Sequence, residues 1–458
     1  MDDNVLYMKD LARELSRGKI AVFTGAGVSA SLKFPNWKLL IKDSAEELGL
    51  TIDNTDLTQV AQFYSNKHSL SKLLTNIVNK LNEVSLDKPS DLVSAILKLN
   101  LDSIWTTNYD DIFKHFSPIK CNVFYDDKSL LNKNIEGMPI YKINGDINKP
   151  ESMVITKKDF ECYADTHKEL MTLLHRELLT KTFLFLGYSF EDGIVLNILQ
   201  KIVSYFGDSY PYHYTIMKDD NNKYFQYFKE DLESRYHIKV IPVNNHDEIP
   251  KMLNNIIAEA NKRNVFISGS FDTLPGVERA KVDSFVKNLV DGLYHAKLKI
   301  ITGVGKGLGA IVTGYAHEYL LNHHMNVSDY LELRPFPIKT DNPTVTTKDY
   351  RKYMMRDCCN AIFLYGKSSS YKELEEYPGK HYSLGTYQEY ELARELGINI
   401  IPIPSTGYEA EVIYNDLLTQ KPAYIERYLD VLPKNLDCED LIPQIINLIG
   451  QSAMSPRL

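Results

Sequence analysis

Short apolar runs that end in glycine or polar turns, each followed by a helical stretch, constrain the fold of this chain more than any other feature. Strands that alternate with helices form parallel sheets covered by helices on both faces, so this pattern predicts an α/β fold of the Rossmann-like, doubly wound type. Ligands of such sheets bind at the carboxyl ends of the strands. Runs of this kind in the first half occupy Lys19–Thr24, Asp102–Thr107, Pro139–Ile143, Thr182–Leu186, Tyr212–Met217 and Lys239–Val243.

The alternation starts afresh near residue 262. A helix predicted over Glu248–Asn261 is followed by a new strand at Val265–Ser268, which opens into Gly269-Ser270. A chain of 458 residues also exceeds what one hydrophobic core usually organises. We therefore predict two doubly wound domains, 1–262 with helical insertions and 263–458. Further elements of the second domain are predicted at Lys299–Thr302, Asn360–Tyr365, Tyr387–Leu396 and Ile398–Ile403.

Charge and cysteine content exclude several classes of function. The net charge of −8 leaves no broad basic surface, so we expect no nucleic-acid partner. The acidic N-terminus has no apolar run typical of a signal peptide, and the longest apolar runs are strand-sized, which predicts a cytoplasmic protein without a membrane partner. Five cysteines without a Cys-x-x-Cys pair indicate reduced thiols and no metal cofactor.

The first glycine turn follows the first predicted strand directly. Gly25, Ala26 and Gly27 precede a predicted helix, and Ser29 lies within its first residues. Backbone N–H groups in such a turn can approach a pyrophosphate, and the serine can cap the helix or donate to a phosphate. Taken alone, the same pattern is equally typical of a simple tight turn.

Three further polar turns follow strands of the first half. They span Thr106–Asp110, Lys142–Asp146 and Gly187–Asp192, and as isolated features they could be Asx turns and helix caps. Together with the Gly-Ala-Gly-x-Ser turn and Pro35-x-Trp37, however, their order and spacing over about residues 15–245 resemble the NAD-binding core of the sirtuins.

The sirtuin resemblance implies that NAD⁺ is the substrate and assigns roles to individual residues. Asn108 would orient a water molecule or the ribose hydroxyls at the anomeric carbon, and the negative charge of Asp110 would stabilise an oxocarbenium-like transition state. NAD-binding contacts are expected from Gly25, Ala26, Gly27, Ser29, Gly187, Ser189 and Asp192.

Two departures from the sirtuin pattern limit the expected chemistry. The four-cysteine zinc module of the deacylases is missing, so we expect transfer to water rather than lysine deacylation. Asn144 stands where the family has its catalytic histidine before a glycine, and this substitution is compatible with a natural or an engineered origin. An amide cannot act as the general base, a role worth about 10²–10⁴-fold in rate, which predicts slow turnover. We expect surface or packing roles for His68, His115, His167 and His175.

The second half contains a stronger phosphate signal. Four alternate glycines, the first three being Gly303, Gly305 and Gly307, lie between a predicted strand and a predicted helix. With Ile267-Ser268-Gly269-Ser270 they resemble the SLOG domain, a Rossmann-like sensor of nucleotide-derived ligands, over most of residues 263–450.

A sirtuin-like domain followed by SLOG resembles the NAD-cleaving effectors of Thoeris antiphage defence. The resemblance implies a homotetramer or higher assembly that is activated when a cyclic ADP-ribose isomer, made by a TIR-domain partner, binds the SLOG domain. Besides the three glycines, the candidate activator contacts are Arg334, Arg351, Lys367 and Glu389, of which Arg351 and Lys367 would bind the pyrophosphate and Glu389 the ribose hydroxyls.

Two other functions remain open from the sequence. The SLOG half could cleave nucleoside monophosphates through an Arg and Glu pair, as related phosphoribohydrolases do. Alternatively, Asn144 could mark a nucleotide-binding regulatory protein without turnover.

Overall fold

The computed structural model describes residues 3–52, 55–99, 101–131, 136–191, 193–207, 209–272, 274, 276–337, 346–368 and 381–452. The chain divides into two compact units, Met1–Ile257 and Ala258–Leu458. Each unit is built on a parallel sheet, which confirms the predicted α/β class. Within the described part, no helix is both long and apolar enough to cross a membrane.

The N-terminal sheet has the strand order β3-β4-β2-β1-β5-β6-β7, and all its strands are parallel. The two central strands β1 and β5 are buried along their whole length, as expected for apolar runs covered by helices on both faces. The strands are β1 (Ile20–Thr24), β2 (Ile104–Thr106), β3 (Cys121–Phe124), β4 (Met138–Lys142), β5 (Thr182–Leu186), β6 (His213–Lys218) and β7 (Ile238–Val243).

Helical insertions separate β1 from β2 and β4 from β5. Several of these helices begin at a side-chain cap, for example α3 at Asn36, α4 at Asp56 and α5 at Ser69. The helices are α1 (Asp3–Ser16), α2 (Ala26–Ala30), α3 (Trp37–Glu47), α4 (Leu57–Lys67), α5 (Leu70–Asn82), α6 (Asp91–Leu97), α7 (Ile112–Phe116), α8 (Lys157–Glu161), α9 (Tyr163–Thr166), α10 (Lys168–Thr180), α11 (Gly193–Phe206), α12 (Lys223–Tyr236) and α13 (Glu248–Asn261).

The C-terminal sheet has the order β10-β9-β8-β11-β12 and is also parallel. Its strands are β8 (Asn264–Ser268), β9 (Lys299–Thr302), β10 (Leu331–Leu333), β11 (Asn360–Phe363) and β12 (Asn399–Pro402). Its helices are α14 (Gly276–His295), α15 (Leu308–Asn322), α16 (Val327–Tyr330), α17 (Thr347–Met355), α18 (Leu384–Glu395), α19 (Tyr408–Gln420) and α20 (Leu441–Ser452).

Each sheet has a point where the winding of the chain reverses. In the first sheet, β1 lies between β2 and β5, and in the second, β8 lies between β9 and β11. In doubly wound sheets, ligands bind in a crevice at the carboxyl ends of the strands at such a point. The two glycine turns of the sequence therefore lie beside these crevices.

Some predicted boundaries are wrong by a few residues for local reasons. The strand predicted to reach Tyr365 ends at Phe363, because Tyr365 turns into the left-handed region at φ 55°. The helix predicted to start at Tyr387 starts at Leu384, since the Ser383 side chain caps it.

Candidate functional site

The loops that follow β1 and β5 pack directly on each other through glycines. A Cβ atom on Gly25 would lie 2.5 Å from the Gly187 carbonyl oxygen, and one on Gly27 would lie 2.8 Å from the Gly187 Cα. The N–H of Gly25 donates to the carbonyl of Leu186 at 3.0 Å, and that of Gly27 donates to the carbonyl of Gly187 at 2.9 Å. These glycines therefore permit close packing of the loops, and both N–H groups are engaged inside the fold.

A cavity of about 730 Å³ opens beside these loops. This volume lies in the range of sites for nucleotide-sized ligands, about 300–1,000 Å³. Gly25 is not among the lining residues, and Asp192 lies outside the described residues. The predicted site residues that line the cavity are Ala26, Gly27, Ser29, Asn108, Asp110, Asn144, Gly187 and Ser189.

A chain of hydrogen bonds fixes three of these side chains. The Asn108 amide nitrogen donates to the Ser29 hydroxyl at 2.7 Å and to the Gly25 carbonyl at 2.9 Å. The Ser29 hydroxyl donates in turn to Asp110 Oδ2 at 2.5 Å. Because both amide hydrogens of Asn108 are used, its acceptor Oδ1 is the atom that it can offer to a ligand.

Asp110 is buried and forms the last member of this series of hydrogen bonds. Burial raises the pKa of its carboxyl, while the Ser29 hydrogen bond and the Lys142 ammonium act in the opposite direction. Its second oxygen, Oδ1, accepts from the N–H of Ile112 at 3.2 Å. Both oxygens thus receive protein donors, and Asp110 holds the Ser29 hydroxyl in one orientation.

Asn144 enters the cavity from the turn that follows β4. Gly145 has φ +99°, and the carbonyl of Asn144 accepts from the N–H of Val154 at 2.8 Å, so the backbone of this turn is fixed. The Asn144 side chain is 9% exposed, and among the described residues its Oδ1 has no hydrogen-bond partner. This amide therefore contributes a buried polar atom to the cavity without using it inside the protein.

A buried ion cluster, which the sequence did not suggest, connects the Asn108 and Asn144 turns. The Lys142 ammonium donates to the Tyr109 carbonyl at 3.0 Å and pairs with Asp111 at 2.6 Å and Asp146 at 3.1 Å. Burial opposes ionisation of Asp111, but Lys142 and the side-chain amide of Asn148 outweigh it and lower the pKa of this carboxyl. The cluster holds the two turns at a fixed separation.

The insertion helices and the start of α11 supply the remaining wall of the cavity. Trp37, which follows Pro35 in the predicted motif, lines it with its ring centre 6.5 Å from that of Tyr109. Asp56 and Lys157 lie on the same wall and form an ion pair at 3.0 Å. In the described part of the chain, no histidine is among the lining residues, and the ring of His167 stacks on Tyr163 instead.

The second glycine turn packs against its neighbours in the same manner. A Cβ atom on Gly269 would lie 1.9 Å from the Leu364 carbonyl oxygen, and one on Gly305 would lie 2.3 Å from the Gly269 carbonyl oxygen. Gly307 has φ +73°, and Val304 has φ +53°. A positive φ is unusual for a β-branched residue, and backbone strain of this kind concentrates at ligand sites.

Arg351 and Glu389 meet at the carboxyl end of β8. Arg351 Nε lies 3.9 Å from Glu389 Oε1, and the Ser268 hydroxyl donates to Glu389 Oε2 at 2.6 Å. Burial raises the pKa of the Glu389 carboxyl, against the effects of Ser268 and Arg351. The guanidinium of Arg351 also lies over the Phe336 ring, 4.5 Å from its centre.

The other two predicted cations have different surroundings. Arg334 is buried, pairs with Glu332 at 2.7 Å and donates to the carbonyls of Met354 and Arg356 at 3.1 and 2.6 Å. These contacts engage its guanidinium with the protein. The Lys367 ammonium donates to the Tyr408 hydroxyl at 3.0 Å.

Glu409 is a buried carboxylate of this region, and no sequence motif singles it out. It accepts hydrogen bonds from the N–H groups of Tyr382 and Ser383 at 2.7 and 3.0 Å and contacts His381 Nδ1 at 2.8 Å. Its position in the first turn of α19 resembles that of an ordinary surface glutamate, so only the fold reveals its burial.

Comparison with known proteins agrees with this architecture. Residues 102–241 match the SIR2-like domain family, and residues 248–452 match the Sir2- and TIR-associating SLOG family. The chain is 29% identical to the NAD(+) hydrolase ThsA of Acinetobacter baumannii, with 90% of each chain covered. It is 28% identical to the protein of the same name from Bacillus cereus, with 97% of each covered. Defense-associated sirtuin 2 of Bacillus subtilis is 26% identical over 44% of this chain and 21% of that protein.

Sheet order, glycine loops and family matches together define a SIR2-like domain joined to a SLOG domain. The similarity to the ThsA proteins extends over both domains. The two domain matches and the 28–29% identity to the ThsA proteins confirm the resemblance to the NAD-cleaving effectors of Thoeris defence.

Proposed function

We propose that this chain is an NAD⁺ hydrolase of antiphage defence, which releases nicotinamide and ADP-ribose. The hydrogen-bonded chain of Asn108, Ser29 and Asp110 on the wall of a nucleotide-sized cavity carries the proposal. The names of the relatives, NAD(+) hydrolase ThsA, support the same reaction.

The proposed reaction breaks the bond between the ribose anomeric carbon and the nicotinamide ring nitrogen. The bonding electrons leave with nicotinamide, and a water oxygen bonds to the same carbon and releases its proton to solvent water. Asn108 Oδ1 accepts a hydrogen bond from that water or from a ribose hydroxyl, since Ser29 and Gly25 hold its amide nitrogen. The carboxylate of Asp110 offsets the positive charge that develops on the ribose.

Asn144 limits this reaction. Its Oδ1 can accept a hydrogen bond from the attacking water, but it cannot take up the proton that the water loses. We expect this chain to bind NAD⁺ and to turn it over slowly. The loss relative to a histidine at this position is about 10²–10⁴-fold in rate.

The SLOG domain is proposed to control the hydrolase. A cyclic ADP-ribose isomer made by a TIR-domain partner would bind beside Gly303, Gly305 and Gly307, with Arg351 and Lys367 facing its phosphates and Glu389 its ribose hydroxyls. The description of the family as Sir2- and TIR-associating supports such a partner. We also propose that the chain forms a homotetramer or a higher assembly and that it acts in the cytoplasm. The boundary between its two domains is proposed at residue 262.

Nicotinamide release, measured by chromatography, tests the function. The chain and its Asn144→His variant are each incubated with NAD⁺, with and without the cyclic ADP-ribose isomer. We expect the activated variant to exceed the activated chain by about 10²-fold or more, because it regains a base. Asn108→Ala in the Asn144→His background is the control and should be inactive. Equal rates for the chain and Asn144→His would contradict the assignment of residue 144.

A second candidate function rests on the meeting of Arg351 and Glu389, the residue pair of the nucleotide phosphoribohydrolases. It predicts cleavage of nucleoside monophosphates that Glu389→Gln abolishes. The hydrolase proposal instead predicts that Glu389→Gln shifts the dose-response to the activator. If the chain and its Asn144→His variant both bind NAD⁺ but neither cleaves it, the result would favour a regulatory binding protein.

A further inference from the structure

The wall of the proposed NAD cavity carries more carboxylates than cations. Asp56, Asp110 and Glu191 line it, and among the lining residues of the described part Lys157 is the only cation. The dianionic pyrophosphate of NAD⁺ is repelled by such a wall unless a donor with positive charge lies close to it.

The glycine loop offers fewer hydrogen-bond donors to a pyrophosphate than its sequence indicates. The N–H groups of Gly25 and Gly27 are engaged with β5 and its loop, and the single hydroxyl proton of Ser29 is donated to Asp110. The helix that follows, α2, has only five residues and ends at Ala30, so its dipole is small. Lys157 is therefore the strongest candidate donor for the pyrophosphate.

Asp56 holds Lys157 but is itself fixed elsewhere. Its Oδ1 caps α4 by accepting from the N–H groups of Thr58 and Gln59 at 3.0 and 3.3 Å and from the Thr58 hydroxyl at 2.6 Å. The Thr58 hydrogen bond, against burial and with help from Lys157, lowers the pKa of Asp56 to about 2. Asp56 is thus a charged and stationary group.

Lys157 is the partner that can move. Its side chain is 41% exposed, and only its terminal ammonium is paired with Asp56 Oδ2. A four-carbon stem with several rotatable bonds allows this ammonium to exchange one oxygen anion for another without any backbone change.

We propose that Lys157 binds the pyrophosphate of NAD⁺ and that Asp56 competes with the substrate for this ammonium. The inference rests on the proposed function of the cavity. Removing the Asp56 charge then frees Lys157 and tightens NAD⁺ binding, whereas removing the Lys157 charge weakens it. If the ion pair only held α4 and α8 together, both changes would weaken binding.

Calorimetry on the full chain tests this directly, because the slow turnover expected with Asn144 leaves NAD⁺ intact during the titration. The variants are Asp56→Asn, which retains a capping side chain, Lys157→Gln and the double variant. Lys158→Gln is the matched control, since Lys158 is the exposed neighbour on the same helix and does not line the cavity. ADP-ribose serves as a second probe with the pyrophosphate, and nicotinamide riboside as a probe without it.

We expect Lys157→Gln to weaken NAD⁺ and ADP-ribose about tenfold, as for one charge-assisted hydrogen bond, and Asp56→Asn to tighten both several-fold. The double variant should match Lys157→Gln, while nicotinamide riboside and Lys158→Gln should show little change. Weaker binding by Asp56→Asn, or an equal loss in Lys158→Gln, would overturn the proposal. If the unsubstituted chain fails to bind NAD⁺, both the proposed function and this inference are refuted. If the chain binds NAD⁺ and Lys157→Gln binds it with the same affinity, the inference alone is refuted.

Discussion

Replacing Lys142 by Met tests whether the buried ion cluster determines the stability of the proposed NAD site. Lys142 is 2% exposed and contacts the Tyr109 carbonyl, Asp111 and Asp146 at 2.6–3.1 Å. Methionine keeps most of the side-chain volume but leaves two carboxylates facing each other without a cation. Breaking a buried pair by removing one partner costs about 3–5 kcal/mol, so the free energy of unfolding of this domain should fall by that amount.

Tryptophan fluorescence during urea unfolding measures this loss selectively. The chain has two tryptophans, Trp37 and Trp105, and both lie in the N-terminal unit. The fluorescence midpoint therefore reports the unfolding of the domain that contains Lys142, while circular dichroism follows both domains. We also expect weaker NAD⁺ binding, since the turns that carry Asn108 and Asn144 lose their common anchor.

The double variant Lys142→Met/Asp146→Asn controls for this interpretation. It removes one of the two uncompensated carboxylates, so it should recover part of the stability that Lys142→Met loses. A loss below about 1 kcal/mol for Lys142→Met, or no recovery in the double variant, would refute the claim that charge compensation is the role of Lys142.

Two further predictions concern the sensor site and the response to pH. Arg351→Ala should abolish activation by a cyclic ADP-ribose isomer and leave NAD⁺ affinity unchanged by calorimetry; an equal loss of NAD⁺ binding would refute the two-site proposal. Burial lowers the pKa of His213 to about 3, and its Nδ1 accepts from the Phe183 N–H. Below about pH 6.5 the unfolded chain binds a proton that folded His213 does not, so the free energy of unfolding should fall by about 2 kcal/mol between pH 6.5 and 5. Urea midpoints at the two pH values should differ less for His213→Gln, and an identical difference would contradict the assignment.

The central strands and glycine turns were predictable because their signals are local. β1 and β5 are continuous apolar runs that end in glycine, and burial on both faces requires that pattern. The edge strands β3 and β10 were missed, since they have only three or four residues and are partly exposed. The domain boundary at residue 262 stays a prediction.

The ion pairs of the site were missed for a different reason. Lys142 lies 31 residues from Asp111, and Lys157 lies 101 residues from Asp56, so only the folded chain brings them together. In the sequence each of these residues is an ordinary charged residue, for which a solvated surface position is the best interpretation. The glycine turns show the converse, because their spacing was recognised while the close packing against Gly187 and Leu364 appeared only in the structure.

The chemistry of the cavity is more specific than that of a general nucleotide pocket. Asn108 can offer Oδ1 because its nitrogen is engaged, and Asn144 contributes a buried Oδ1 that has no partner among the described residues. A buried acceptor without a donor costs about 1–3 kcal/mol, which a ligand with hydrogen-bond donors recovers. Ribose hydroxyls and water have such donors, whereas phosphate oxygens at neutral pH need the ammonium of Lys157. Under the proposed function, the two amides would contact the reacting ribose and Lys157 would contact the pyrophosphate, so each part of the dinucleotide would meet a different donor or acceptor.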